Sequence, residues 1–561
     1  MKSFPWFSSY PEGVPHEIKT DEYPSVVEMI EETCRKYADK VAYENMGAQL
    51  TFAEVDRLSR NFAAYLQKDL GLKKGERIAI QMPNCLQFPI AFFGALRAGL
   101  IVVNTNPLYT SREMEHQFKD SGASAIVIVA NFASNLEKII GNTQIRHVII
   151  TELGDMLGGL KRPLVNFVVR NIKKMVPPYS LPQALSFRDV IRKGEARELA
   201  KPECSLEDIA VLQYTGGTTG VSKGAQLSHA NLVAHNAMIT AWFHPYLSQG
   251  DEDVIITAIP LYHIFALTVN GLLMFTTGVK NVLITNPRDM KGFVKELSKH
   301  KFTIMTGVNT LFNGLLNTPG FDKLDFSHLK GAIGGGMAVQ DAVAERWQKV
   351  TGKPLLEGYG LSETSPVLCC NPLVGKFKRG TIGIPMPSTE VAIFDDNGNQ
   401  LPQGEVGEIC ARGPQVMSGY WKQDNTGVFY PGGWFKTGDI GTMDEEGFFR
   451  IVDRKKDMIV VSGFNVYPNE IENTVARHEK VLEVAAIGVP DARTGEAVKV
   501  FIVKRDESLT ADEVISYCRS NMTNYKVPRQ VEFRKELPKT NVGKILRRAL
   551  KEEQPAEAVA K

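Results

Sequence analysis

Charge of either sign is nearly absent as a net quantity. The chain has 65 basic and 63 acidic residues, a balance of +2, so no domain-wide basic surface exists to neutralise a nucleic-acid backbone. Nucleic acid is therefore not expected as a partner. Cysteine is scarce: the seven, at 34, 85, 204, 369, 370, 410 and 518, are odd in number and contain no C-x-x-C pair. That argues against a disulfide framework or a zinc site and fits a reducing cytoplasm. The opening stretch, Met1-Lys-Ser-Phe-Pro-Trp-Phe-Ser-Ser-Tyr-Pro, has no apolar core segment and does not read as a signal peptide. The longest apolar run, Phe88 to Val103, is interrupted by Arg97 and two glycines and falls short of the roughly 20 residues a membrane span needs. No transmembrane helix is expected. What is left is a 561-residue chain, 43% apolar and 23% charged, ordinary for a globular enzyme and too long for one hydrophobic core.

One stretch concentrates chemistry: Tyr214-Thr215-Gly216-Gly217-Thr218-Thr219-Gly220-Val221-Ser222-Lys223-Gly224. Glycines let backbone N–H groups close on an anion, threonine hydroxyls add donors and Lys223 adds a point charge, so the loop reads as a phosphate cradle. It is not a Walker A loop, because Lys223 is followed by Gly224. An apolar run precedes it and a helical pattern follows.

Residues 25 to 130 alternate helical and strand patterns. Thr51-Phe-Ala-Glu54 reads as a capping box opening a helix with apolar residues at 55, 58, 62, 63 and 66, and Arg77 to Gln81 follows as a strand. Strands alternating with helices imply a parallel sheet covered on both faces. Between Leu157 and Ser180 the pattern changes to five basic and no acidic side chains. Wound as a helix from Leu164, it places Leu164, Val165, Val168, Val169, Ile172, Met175 and Val176 on one face, with Arg170, Lys173 and Lys174 opposite. Two readings stay open: a helix docked on its own domain, the commoner origin of such a pattern, or a membrane-surface contact.

Downstream, Val254 to Ala258 is a strand leading to His263, whose imidazole suits either a general base or a pocket wall. Ile333-Gly334-Gly335-Gly336-Met337 ends a short strand where backbone can lie against a planar ring or an acyl chain. In Leu356-Glu357-Gly358-Tyr359-Gly360-Leu361-Ser362-Glu363, Tyr359 is placed to stack on adenine. Glu363 beside phosphates calls for a cation between them, which points to Mg²⁺. Residues 380 to 452 are rich in glycine, proline and short β-like runs, a small β-rich subdomain. Asp439, expected at the end of a glycine-punctuated turn, suits ribose hydroxyls. The charged knot Asp453-Arg454-Lys455-Lys456-Asp457 reads as an exposed hinge, dividing a large domain (1–452) from a small α+β one (458–561).

Taken in order, these stretches resemble the acyl-adenylate-forming superfamily from about residue 25 to 550, most closely the bacterial long-chain fatty acid:CoA ligases. Asn104-Thr-Asn-Pro-Leu-Tyr109, Pro260 to Leu267, Val452 to Ile459, Val461 to Pro468 and Pro538-Lys-Thr-Asn-Val-Gly-Lys544-Ile carry that narrower match. The resemblance implies an α/β fold with a mobile C-terminal domain, substrates ATP, CoA and a fatty acid, and Mg²⁺. It assigns Tyr214, Thr215, Gly216, Gly217, Thr218, Thr219, Gly220 and Lys223 to the triphosphate, and Gly336, Met337, Glu357, Gly358, Tyr359, Asp439, Arg454 and Lys456 to the rest of ATP. His263, Gly335 and Gly336 edge the acyl pocket; Ser462, Gly463 and Asn465 edge a CoA tunnel. Ser362, where the family commonly has Thr, bonds the α-phosphate; Glu363 with Thr218 holds the metal; Lys544 is the adenylation lysine; Asp453 is the pivot. A medium-chain or aromatic acid is the alternative substrate. A peripheral contact with the inner face of the cytoplasmic membrane through 157–180, and a homodimer, complete the expectations.

Overall fold

The computed structural model describes residues 4–215, 222–247, 253–540 and 542–554. Among them are four sheets. One runs Leu185–Ser186, His147–Thr151, Ala125–Val129, Arg77–Gln81, Ile101–Asn104, Ile209–Thr215, Lys223–Ser228, parallel except for its last pair. Its strands are near-continuous apolar runs because helices cover both faces. Helix Phe52–Lys68 is one such cover. Its start is fixed as expected, with Glu54 N–H on Thr51 Oγ1 (3.2 Å) and Thr51 N–H on Glu54 Oε2 (2.8 Å). Val55, Leu58, Phe62, Ala63 and Leu66 are all buried.

A second, nine-stranded sheet has the parallel core Gly331–Gly334, Ile304–Gly307, Val254–Thr257, Lys280–Leu283, extended at one end by Leu355–Gly360 and the antiparallel Val367–Cys370. An antiparallel sheet built on Glu390–Phe394, Gly407–Arg412 and Trp434–Met443 forms the expected β-rich unit. Beyond it, strands Ile459–Val461, Val481–Asp491 and Gly495–Lys504 with helices Pro468–Ala476 and Ala511–Asn521 enclose cores of their own. The small unit closes on the large one through polar contacts: Thr310 Oγ1 donates to Gly543 O (2.8 Å), Asn313 Nδ2 to Leu482 O (2.9 Å), and Arg477 pairs with Asp341 (2.7 Å).

Several expectations need correcting. The stretch after the phosphate loop is not helical at once: Lys223–Ser228 returns as a strand antiparallel to Ile209–Thr215, and the helix His229–Phe243 starts only where Ser228 caps it. Asp439 is not at a turn. It sits inside the ten-residue strand Trp434–Met443, facing Arg454 across the ladder. The exposed hinge is only partly exposed, because Arg454, Lys455 and Lys456 are open while Asp453 is fully buried at the end of strand Phe449–Arg454. In 157–180 the helix runs Lys161–Phe167 and continues as a π turn, Val168–Ile172, with no residue of either buried. Of the face expected to be apolar, Val165, Val168, Val169 and Val176 are half-buried and Leu164, Ile172 and Met175 exposed, so it is docked on its own domain only in part. No helix of the described residues is long and apolar enough to cross a membrane.

Helix packing gives a direct test. A Cβ on Gly194, at the end of helix Phe187–Gly194, would lie 1.9 Å from Asn61 O of helix Phe52–Lys68, whereas one on Gly141 would meet nothing within 4 Å. Gly194→Ala should lower the thermal unfolding midpoint by several degrees, reflecting the about 1–3 kcal/mol typical of overpacking. Gly141→Ala should leave it unchanged; equal midpoints would contradict this packing.

Candidate active site

Parallel strands present their carboxyl ends to one place, and ligands of such folds sit there. Here Ile101–Asn104, Ile209–Thr215 and Gly331–Gly334 end on a cavity of about 1970 Å³, closed on its far side by the C-terminal unit. Thr215, Lys223, Met337, Gly358, Ser362 and Lys456 are among its lining. Gly216, Gly217, Thr218, Thr219 and Gly220 lie outside the described residues. Tyr214 contributes a wall, since its ring is buried and its hydroxyl donates to Asp120 Oδ2 at 2.5 Å.

At the centre is a fixed carboxylate. Asp439 accepts from Tyr359 Oη (2.6 Å) on one oxygen and pairs with Arg454 Nε (3.1 Å) on the other. Burial, then Asp439, push the Tyr359 phenol far up, while Asp439 raises Arg454. Glu363 follows in a 3₁₀ turn, Ser362–Thr364. It is buried, with Oε1 held by Tyr420 Oη at 2.7 Å, and the Lys223 ammonium stands 5.4 Å from the Tyr420 ring centre. Tyr420 has no motif around it and escapes sequence reasoning. Such a carboxylate, oriented beforehand and lining the cavity, fits one ligand of a hard cation that takes its other oxygens from phosphate and water.

Lys544 reaches into this cavity from the C-terminal unit. Its backbone is held by Thr540 on both sides, N–H to Oγ1 at 3.0 Å and C=O from the Thr540 N–H at 2.7 Å. A Cβ on Gly336 would lie 2.9 Å from Lys544 Cε and 3.4 Å from Nζ. Gly336, at φ +78°, is favoured by its backbone, and a side chain there would displace the end of Lys544. Burial, then the charge of Arg454, bring the Lys544 amine down to about 8, against the opposing pull of Asp439 and Glu363. His263 also lines the cavity. Burial, then the charge of Lys544, hold it down to about 3, and Nδ1 accepts from Phe265 N–H at 3.4 Å. So weakly basic a ring is a poor proton acceptor, which favours the wall over the general base. Phe265 in turn packs where a Gly335 Cβ would be, 3.0 Å away. Burial raises Glu357 to about 8, and Val339 N–H donates to it at 3.3 Å.

Two groups of residues stand apart from expectation. Ser462, Gly463 and Asn465 are exposed around a hairpin between Ile459–Val461 and Phe464–Val466, and they do not line the cavity. Conversely, Ile239, Phe243, Val269, Val367, Cys370 and Met386 form an apolar wall that no motif marks, because such residues look like any core.

With this geometry in view, the family relations of the chain carry weight. The AMP-binding enzyme family matches residues 30–421, and the AMP-binding enzyme C-terminal domain family matches 470–544. The chain belongs to the AMP-binding enzymes. Within this family it is 57% identical over 549 residues, 98% of each chain, to the long-chain-fatty-acid–CoA ligase of Escherichia coli O6:H1. It is 58% identical over 550 residues, again 98% of each, to the enzyme of that name from Yersinia pestis. Among solved structures, the anthranilate CoA ligase AuaEII in complex with anthranoyl-AMP superposes with a TM-score of 0.84 at 26% identity, covering 95% of this chain and 98% of that one. The resemblance read from motifs is borne out, as is the fold of an AMP-binding enzyme with large N-terminal and small C-terminal domains.

The lowered Lys544 amine is measurable. At pH 8 about half of it is neutral, whereas an ordinary lysine is almost wholly protonated. An amine-directed acylating reagent should label Lys544 faster than exposed lysines, by peptide mapping, with a midpoint near pH 8. Labelling no faster than theirs, rising only near pH 10, would contradict the site as described.

Proposed function

We propose that the protein is an AMP-forming long-chain fatty acid:CoA ligase, and that Lys544 seated against Gly336 marks the arrangement that makes acyl-AMP. The observation carrying this reading is the near full-length similarity to ligases of that name, and the cavity geometry supports it.

A carboxylate is a poor electrophile with a poor leaving group, so it is first made into a mixed anhydride. A fatty carboxylate oxygen bonds to the α-phosphorus of ATP, the bond to the β-phosphate bridging oxygen breaks, and pyrophosphate departs with the electron pair. Negative charge grows on the nonbridging oxygens, and fixed donors aimed there lower the barrier. Lys544, Lys223, Lys456 and the hydroxyls of Thr215 and Ser362 are the donors in this reading, with Gly216, Gly217, Thr218, Thr219 and Gly220 completing the cradle. Tyr359, Gly336, Met337, Glu357 and Gly358 frame adenine, while Asp439 and Arg454 take the ribose. Glu363, with Thr218, would hold Mg²⁺, which supplies charge neutralisation on the phosphates when bound. The acyl chain lies against Gly335, Gly336, His263 and the apolar wall.

In the second step the CoA thiol loses its proton, sulfur bonds to the acyl carbon, the C–O bond to phosphate breaks, and AMP leaves with a thioester formed. Ser462, Gly463 and Asn465, away from the cavity here, would reach it after the unit from residue 458 turns about 453–457 relative to 1–452. Asp453 supports such a pivot. Its backbone pairs with Ile440 of the large unit while its carboxylate accepts from Asn469 N–H (2.8 Å) and Arg547 (3.1 Å) of the small one, so it spans the junction. One cleft then serves two transition states while keeping water from a hydrolysable anhydride. The substrate is sparingly soluble and collects in membranes, so we place the enzyme in the cytoplasm, at the inner membrane face.

Lys544→Ala should lower acyl-AMP formation by roughly 10²–10³-fold, as removal of one charge-stabilising donor does, yet convert supplied acyl-AMP and CoA to thioester within a few-fold of the parent. Equal loss of both half-reactions would sink the two-arrangement reading.

A further inference from the structure

Segment Leu160–Met175 is tied to the protein by polar contacts beside the half-buried Val165, Val168 and Val169. Asn166 accepts from Gly154 N–H (2.8 Å) and donates to Asp155 (3.2 Å), Arg170 Nε donates to Glu152 (3.0 Å), and Asn131 Nδ2 donates to Met175 O (3.1 Å). Its five larger apolar side chains face out: Leu160 is 89% exposed, Leu164 63%, Phe167 56%, Ile172 64% and Met175 49%. Leu160, Leu164 and Phe167 follow helical spacing, and the wider π turn Val168–Ile172 returns Ile172 to their stripe. Five of the twelve exposed large apolar side chains among the described residues fall within these sixteen positions. Such clustering differs from the scattered apolar exposure of an ordinary surface.

The flanks are cationic. Lys161, Arg162, Lys173 and Lys174 accompany the stripe, no acidic residue occurs from 157 to 180, and of the five cations only Arg170 is in an ion pair among the described residues, with Glu152. An apolar stripe edged by lysines matches the headgroup layer of an anionic bilayer, where tails receive the stripe and phosphates the ammonium groups. A second copy fits worse, since it would bring two such basic sets together.

Position supports the same partner. The segment follows the carboxyl end of His147–Thr151, and the cavity opens at the carboxyl ends of Ile101–Asn104 and Ile209–Thr215 in the same sheet. The strands lie three and four places apart, about 15–20 Å at the usual spacing. Leu108, 48% exposed, lines the cavity on that edge. We propose that Leu160–Met175 is an in-plane docking surface for an anionic lipid bilayer, setting the lip of the cavity beside the layer that holds the acid. Its physiological sense rests on the fatty-acid reading; its test does not.

The full-length protein, without nucleotide or acid, is sedimented with phosphatidylethanolamine–phosphatidylglycerol vesicles and with phosphatidylcholine vesicles. We expect binding to the first, weak binding to the second, and release from the first by high salt. Leu164→Ser/Phe167→Ser and Lys173→Glu/Lys174→Glu should each cut partitioning at least tenfold. Their thermal midpoints and turnover of a soluble medium-chain acid should stay unchanged, since these side chains are exposed and outside the cavity. No binding by the parent, equal binding by the variants, or a parent dimer that Leu164→Ser/Phe167→Ser makes monomeric would overturn the proposal. Failure here leaves fatty-acid-dependent ATP turnover untouched, so the two readings fall separately.

Discussion

A lysine side chain lying against a bare glycine couples the two halves of this protein. Lys544 belongs to the small unit and Gly336 follows the end of a strand in the large one, and a Cβ at 336 would lie 2.9 Å from Cε and push the end of the lysine side chain aside. The contact is electrostatically uneasy, because partial burial and the nearby Arg454 guanidinium both work against the ammonium. Polyphosphate is what would relieve it, and a lysine held ready in this way differs from one waiting in water by having little left to reorganise.

Around that contact each neighbour fixes another. Thr310 and Thr540 hold the loop carrying Lys544 from opposite sides of the domain gap. Tyr359 and Arg454 hold Asp439, and Tyr420 holds Glu363. Arg547 draws together Asp453, Asp457, Glu472 and Asn469. Burial raises the Asp453 carboxyl, which Arg547 counters. Asp439, Glu363 and Asp453 are polar and buried, so their stability depends on these partners being present.

Much of this was legible in the chain. A capping box and apolar periodicity announced helix Phe52–Lys68, because local chemistry decides a helix start. Motif positions such as Tyr359, Glu363, Asp439 and Lys544 were found in order, and the structure gathers them on one cavity. What stayed hidden depends on distant partners. Asp453 reads as exposed among charges until Arg547, almost a hundred residues on, neutralises it in the interior. Strand Lys223–Ser228 takes its identity from pairing with Ile209–Thr215 rather than from its own pattern. The wall of Ile239, Phe243, Val269 and Met386 is indistinguishable in sequence from core, since apolar residues lining a cavity and filling one obey the same period. The outward stripe of 160–175 was visible as amphipathic, yet which side faced the protein was decided by Glu152 and Asp155.

Isotope exchange between labelled pyrophosphate and ATP, measured with a C16 acid and magnesium in the absence of CoA, reads the first chemical step by itself. Exchange that depends on the acid and reaches steady state without CoA is the result expected of a cleft that makes and holds acyl-AMP. Exchange absent until CoA is added, or independent of the acid, would mean that no such intermediate forms there.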